Sequence, residues 1–277
     1  MRSHHNFIAA TLSLIVSIGL GLSTGSAEEK IVLDGSSGML PLARALVKAY
    51  QDKHPDPQVE LGKGVLEPGE RLQALAEGTI QIALDSRGIK PEDAQKGNLK
   101  VIEVAKGTTV FGVNASVPLS NITEQQICDI YNGNIRNWQP IAGSDSSIAV
   151  LTRRPTDVDP EVIRAKVGCF KDLKVVENVK VMARGGEMAK ELAETLYSIG
   201  MTSMTVVEQS GGKIKALNLN GIEPTPENVR NGRYFLTRDF LFVIKAEPTP
   251  GIRKFLQFVQ GPDGHNVIVA NGAIPLR

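Results

Sequence analysis

Aromatic residues are scarce: they make up 5% of the 277 residues, with a single Trp. Stacking platforms for nucleobases or sugar rings need several such side chains, so a surface of that kind is not expected. Excess charge is missing too, with 31 Lys+Arg against 30 Asp+Glu. Residues 1–27 hold one charged side chain, Arg2, so the rest of the chain is balanced at 30 of each sign. That balance argues against nucleic-acid partners and against a polybasic membrane anchor. Beyond residue 27 there are two cysteines, Cys128 and Cys169, and two histidines, His54 and His265. These are too few for a usual structural zinc site, and no metal or cofactor is expected. His54 in a K-H-P turn and His265 in P-D-G-H-N read as surface or capping residues.

What is present describes a globular protein. Hydrophobic residues at 42% and charged residues at 22% fit a packed chain long enough to divide into two lobes. Arg2, His4 and His5 precede an apolar run from Phe7 to Leu22, which a G-S-A end closes at Ala27. A short basic region, an apolar core and small residues predict a secretory signal peptide over 1–27. The core is too short for the roughly 20 residues that span a bilayer. The mature protein is therefore expected outside the cytoplasm and not membrane-spanning. An oxidising compartment permits a Cys128–Cys169 bridge; two separate buried thiols are the alternative, and sequence leaves both open.

Hydrophobic periodicity alternates between strands and helices. Ile31 to Leu33 reads as a strand. Met39, Ala43, Leu46, Val47 and Tyr50 mark a helix that stops before Pro55. Arg71 to Glu77 is a second helix ended by Gly78, and Ile80, Ile82 and Leu84 lead a strand into D-S-R at 85–87. Val101–Val104 and Thr109–Val113 read as two further strands. Thr123 and Gln126 form a capping box for a helix ending at Asn132-Gly133. Ile148–Leu151 is a strand delivering Arg153 and Arg154, and Val179–Met182 is strand-like. A helix from about Gly186 carries Met188, Leu192, Leu196 and Ile199. Phe240–Ile244 is a strand, and the last amphipathic helix opens at Pro250. Such alternation predicts an α/β protein with mostly parallel strands. The joints near 114–121 and 223–233 predict one lobe of residues 28–113 plus 234–277 and a second of 114–233.

Three loops at strand ends share one chemistry. G-S-S-G at 35–38 opens a helix, whose first N–H groups are unpaired and lie at the positive end of the dipole. Ser86 beside Arg87 offers a hydroxyl and a guanidinium, and Arg153-Arg154 offers two forks for an oxyanion. Ligands of open α/β sheets bind beyond the carboxyl ends of strands, where these loops fall. Each feature has a plainer reading: Ser36-Ser37 as a capped turn, and Arg87, Arg153 and Arg154 as surface ion pairs.

The motifs then carry a resemblance. I-V-L-D-G-S-S-G-M-L-P-L-A, E-G-T-I-Q-I-A-L-D-S-R, L-S-N-I-T-E-Q-Q-I-C-D-I-Y-N-G-N-I-R-N-W and the ending F-V-Q-G-P-D-G-H-N-V-I-V-A-N-G-A-I-P-L resemble segments of the solute-binding proteins of ABC phosphate importers. The third is the most specific, with Ile130, Gly133, Asn137 and Trp138 in register. The resemblance implies a two-lobed periplasmic binding protein of type II kind, with mixed sheets flanked by helices and a ligand cleft between the lobes. It implies a monomer that carries phosphate to permease subunits. It implies an anion site of Ser36, Ser37, Gly38, Met39, Ser86, Arg87, Arg153, Arg154 and Thr156. The chain departs from the pattern at three places. P-T-D-V-D-P at 155–160 replaces a G-S-G-T-like stretch, Gly38 replaces a threonine, and Val65 stands where a serine is expected. Those departures keep two alternatives in play: a ligand-free sensor or scaffold, and a binder of another oxyanion. An enzyme is not expected, because G-S-S-G is not a nucleophile elbow and histidines for a triad are few.

Overall fold

The first lobe starts from β1 (Ile31–Gly35), whose Ile31 and Leu33 face a core. The computed structural model describes residues 30–54, 59–62, 64, 66–173 and 179–276, so the segment 1–27 expected to be a signal peptide and Val65 lie outside the described residues. Helix α1 (Leu40–Lys53) buries Leu42, Ala43, Leu46, Val47 and Tyr50 on one face. It begins one residue later than its periodicity suggests, with Met39 as the flanking residue. β2 (Val59–Leu61), α2 (Pro68–Glu77), β3 (Ile82–Asp85) and α3 (Pro91–Lys96) follow. Gly78 ends α2 in the left-handed conformation, at φ 75°, which suits a residue without Cβ.

β4 (Leu99–Asn114) corrects the sequence expectation of two strands, being one strand of 16 residues. Nothing at Lys106-Gly107-Thr108 reverses the chain, and a later strand, Thr237–Lys245, pairs straight through that segment, with Gly107 opposite Arg238. The second lobe contains β5 (Asn121–Ile122), α4 (Glu124–Tyr131), α5 (Gln139–Ala142), β6 (Ala149–Arg153) and α6 (Val158–Lys166). The Thr123 capping box forms as the sequence indicates, with Thr123 Oγ1 accepting from the Gln126 N–H at 3.1 Å. Then come β7 (Lys180–Met182), α7 (Gly185–Glu194), β8 (Ser198–Ser203), α8 (Met204–Gln209), β9 (Ile214–Ala216), β10 (Asn218–Leu219) and α9 (Pro226–Arg230). Ile199 belongs to β8 and not to the preceding helix. A wholly buried run such as S-I-G-M-T-S has no polar face to betray its period.

The chain returns through β11 (Thr237–Lys245), α10 (Pro250–Gln260), α11 (Pro262–Ala270) and β12 (Ile274–Pro275). α10 is therefore not the last helix; Gly261-Pro262 ends it and starts another. Strand order is β2-β1-β3-β11-β4-β8-β6-β7, with β9 and β12 also on β4. The sheet is mixed, not mostly parallel, because β11 runs antiparallel to both β3 and β4, and β4 to β8.

Two large apolar cores flank this sheet. One gathers Ile31, Leu33, Leu42, Leu46, Val104, Ala105, Phe240, Phe242 and Phe255. The other gathers Val110, Phe111, Ile127, Tyr131, Trp138, Phe170, Ile199 and Leu236. β4 passes from one to the other between Ala105 and Val110, and the return strand crosses back between Leu236 and Phe240. The Cys128–Cys169 bridge is formed, with Cα atoms 6.0 Å apart, and ties α4 to the turn at Gly168–Phe170. Among the described residues no helix is long and apolar enough to cross a membrane.

Candidate functional site

The G-S-S-G turn is built by its neighbours. Gly35 has φ 140°, and a Cβ there would lie 2.4 Å from the Leu84 carbonyl oxygen, so only glycine fits. The Ser36 N–H donates to that same carbonyl at 2.9 Å. Ser36 Oγ and Ser86 Oγ are 2.6 Å apart, which joins the first loop to the second. Among the described residues the N–H groups of Ser37 and Gly38 have no partner. Met39 behaves differently: its N–H donates to Ser36 O and its side chain is fully buried. It packs the core beneath the turn.

The second loop is shaped from below by Asp85. One carboxylate oxygen accepts from the N–H groups of Arg87 and Gly88, at 2.8 and 2.7 Å. The other accepts from Arg71 Nη1 at 2.7 Å, and that guanidinium also reaches the Leu84 carbonyl at 2.9 Å. Arg71 and Asp85 are both buried. The D-S-R bend is thus a hydrogen-bonded turn over a buried ion pair. It leaves Arg87 free to cross the cleft, where it donates to Glu161 Oε2 at 2.7 Å and to the Thr156 carbonyl.

The third loop leaves β6 and enters α6. Arg153 is buried. Its Nη1 lies 3.0 Å from Asp159 Oδ2 and its Nη2 3.3 Å from Asp157 Oδ2. Arg154 is half-exposed and pairs with Asp157 Oδ1 at 3.1 Å. Asp159 also takes Arg238 Nη1 at 2.8 Å and Thr109 Oγ1 at 3.1 Å. Burial pushes the Asp159 carboxyl up, but the Arg238 and Arg153 guanidiniums and the hydrogen bonds from Thr109 and Arg153 outweigh it and hold it below the ordinary carboxylate range. Arg238 stands on the return crossing, donates to the Gly38 carbonyl at 3.2 Å and lies over the Phe240 ring. Burial lowers its guanidinium below the ordinary value, against the opposing pull of Asp159.

These pieces enclose a cavity of about 280 Å³. Of the residues expected in an anion site, Ser36, Ser37, Gly38, Arg87, Arg153, Arg154 and Thr156 line it. Ser86 supports it through Ser36, and Met39 lies in the core. Arg71 and Arg184 line it as well, so five arginines face two carboxylates, Glu67 and Asp157. Val158, the first residue of α6, forms part of the wall, so the cavity reaches the start of that helix. Such a niche can hold a small tetrahedral oxyanion by charge-assisted hydrogen bonds.

Sequence reasoning missed Arg71, Arg184 and Arg238. Arg238 had one legible signal, a lone arginine between Leu236 and the apolar run F-L-F-V-I. Among the described residues no cluster of three or more His, Cys, Asp or Glu side chains could hold a metal ion.

Fold and cradle together define a two-lobed α/β protein with an oxyanion-type niche between lobes. The sequence pattern of the PBP superfamily domain matches residues 22–263, and the chain belongs to that superfamily. It is 24% identical over 254 residues to the phosphate-binding protein PstS of Bacillus subtilis, covering 90% of this chain and 82% of that protein. It is 27% identical over 277 residues to the protein SphX of Synechococcus elongatus, covering 90% and 80%. Among solved structures it resembles a Clostridium perfringens substrate-binding protein assigned to phosphate ABC transport and crystallised with phosphate. The TM-score there is 0.73 at 26% identity, covering 90% of this chain and all of that one.

Proposed function

We propose that this chain is the extracytoplasmic substrate-binding protein of an ABC importer and that its cargo is phosphate. The observation that carries the reading is the single cavity in which three separate loops place Ser36, Ser37, Arg87, Arg153, Arg154 and Thr156. Its relatives named for phosphate binding support the choice of anion. In this reading the N–H groups of Ser37 and Gly38 and the start of α6 grip the anion from opposite lobes. Arg87, Arg154 and Arg184 neutralise it. The expected lobes of 28–113 plus 234–277 and 114–233 meet a few residues inside those bounds, where β4 at 106–109 and β11 at 237–239 pass from one core to the other and act as the hinge. The protein works as a periplasmic monomer without catalysis and presents its closed form to permease subunits.

Calorimetric titration with phosphate and sulfate tests this. Binding of one phosphate per chain is expected. Arg154→Ala should weaken it by roughly ten- to a hundredfold, the worth of one charge-assisted hydrogen bond, while the exposed control Lys254→Ala leaves it unchanged. Equal affinities for both variants would remove Arg154 from the site. A second reading has its own observation: Asp157 and Asp159 already occupy Arg153. It describes a relative that signals or scaffolds without cargo. A folded protein giving no heat with any oxyanion would favour it.

A further inference from the structure

A second cavity of about 250 Å³ abuts the first and is unlike it. Ser37, Gly38 and Arg153 line both. Beyond them one side of the wall is apolar, with Pro41 of α1, Met188, Ala189 and Ala193 of α7, Val206 of α8 and Ile214 of β9, while Arg44, Asp159, Gln209 and Arg238 stand among the polar residues of the rest. Inorganic phosphate has no use for such a wall, because all its faces are charged or hydrogen-bonding. Small-molecule pockets usually measure about 300–1,000 Å³ and are mostly apolar with a few placed polar groups. Each cavity alone falls short of that range, and together they enter it. Arg153 stands at their junction, and its buried Nε, like those of Arg71 and Arg238, has no hydrogen-bond partner among the described residues. A buried donor left without a partner is costly and points to a ligand atom or water that meets it.

We infer that, besides phosphate, the site takes a tetrahedral phosphorus oxyanion carrying one small apolar substituent, a phosphonate or a phosphate monoester. The oxyanion sits in the arginine-lined cavity, and the substituent passes Ser37 and Arg153 to lie against Met188, Ala189 and Val206. This rests on the reading of the first cavity as an anion site and names its substrate class.

The test is titration of the full chain with inorganic phosphate, phenylphosphonate and phenyl phosphate. Burial of the phenyl ring should make at least one aryl ligand bind roughly ten- to a hundredfold tighter than phosphate. If the phosphonate alone gains, the source is a C–P ligand; if the ester gains too, the niche accepts both. Ala189→Phe fills the apolar cavity and should abolish the gain while phosphate affinity moves less than about twofold. Val206→Trp, from the facing wall, is the second variant should the first fail to fold by thermal melt. Phosphate binding with equal or weaker aryl ligands overturns the inference and leaves the phosphate reading intact. So does an Ala189→Phe variant that loses phosphate as much as the aryl ligand. No binding of any of the three removes the phosphate reading and the inference with it.

Discussion

The two walls of the cleft use carboxylates in opposite ways. On the first lobe, Asp85 sits underneath its loop. It accepts from Arg71 and from two backbone N–H groups, so its charge is absorbed inside the protein and Arg87 projects toward the cleft. On the second lobe, Asp157 and Asp159 sit within the loop, and they take the very guanidiniums that an anion would want. A carboxylate below a binding loop builds the site, whereas a carboxylate in the loop competes with the ligand. The first wall is therefore fixed and the second exchangeable.

The largest effect should come from breaking the fixed wall. Asp85→Ala strands the buried Arg71 and removes the acceptor that bends the D-S-R loop. Urea unfolding should show a loss of about 3–5 kcal/mol, the usual cost of stranding one partner of a buried pair. Added phosphate should recover no more of this than it adds to the unmodified protein. Asp159→Ala comes next. It strands Arg238 but leaves Arg153 with Asp157, so its loss should be smaller. Because Arg153 faces the cavity, phosphate should stabilise this variant more than the unmodified chain; a ligand at about 100 times its Kd contributes about 2.7 kcal/mol. Equal stabilisation of the Asp85 and Asp159 variants would break the distinction between fixed and exchangeable walls.

Acid sharpens the same comparison. The Asp159 carboxyl is held below its ordinary range in the folded state. Its contribution is fully present above the unfolded value of about 3.9 and is lost as pH falls through the lower native value. The stability gap between the unmodified protein and Asp159→Asn should be constant near neutrality and should narrow as pH falls below the unfolded value. A gap that persists there would show that Asp159 acts through shape and not charge.

How much of this was legible without coordinates follows from the range of each interaction. Ser36, Ser37, Arg87 and Arg153 were readable because strand-end loops with small hydroxyls and arginines are local patterns. The capping box at Thr123 was readable for the same reason. Arg238 was not, because its role depends on register: it faces Gly107 across two antiparallel strands and meets Asp159 from a third element. Arg71 was hidden because a helix residue pairs with buried Asp85 only when α2 packs on β3. The continuity of β4 was hidden by Gly107, a residue that reads as a break until β11 is seen to pair across it. The Cys128–Cys169 pairing depended on a distance that spacing does not contain.

The smallest effect concerns a partly exposed ion pair that bridges the walls, Arg87 with Glu161. Both side chains are partly exposed, at 29% and 42%, so the pair contributes about 0–1 kcal/mol to stability. Glu161→Gln should therefore leave the urea midpoint nearly unchanged. Phosphate affinity is the informative readout. The substitution removes a negative charge and releases Arg87 toward the cavity, so affinity should rise by up to about fivefold, the equivalent of roughly 1 kcal/mol. The gain should vanish near 1 M salt, where the screening length drops to about 3 Å. A fall in affinity would instead mean that the pair holds the walls together for the ligand. In that case Arg87 belongs with Arg71 on the structural side of the comparison and not with Arg154 on the binding side.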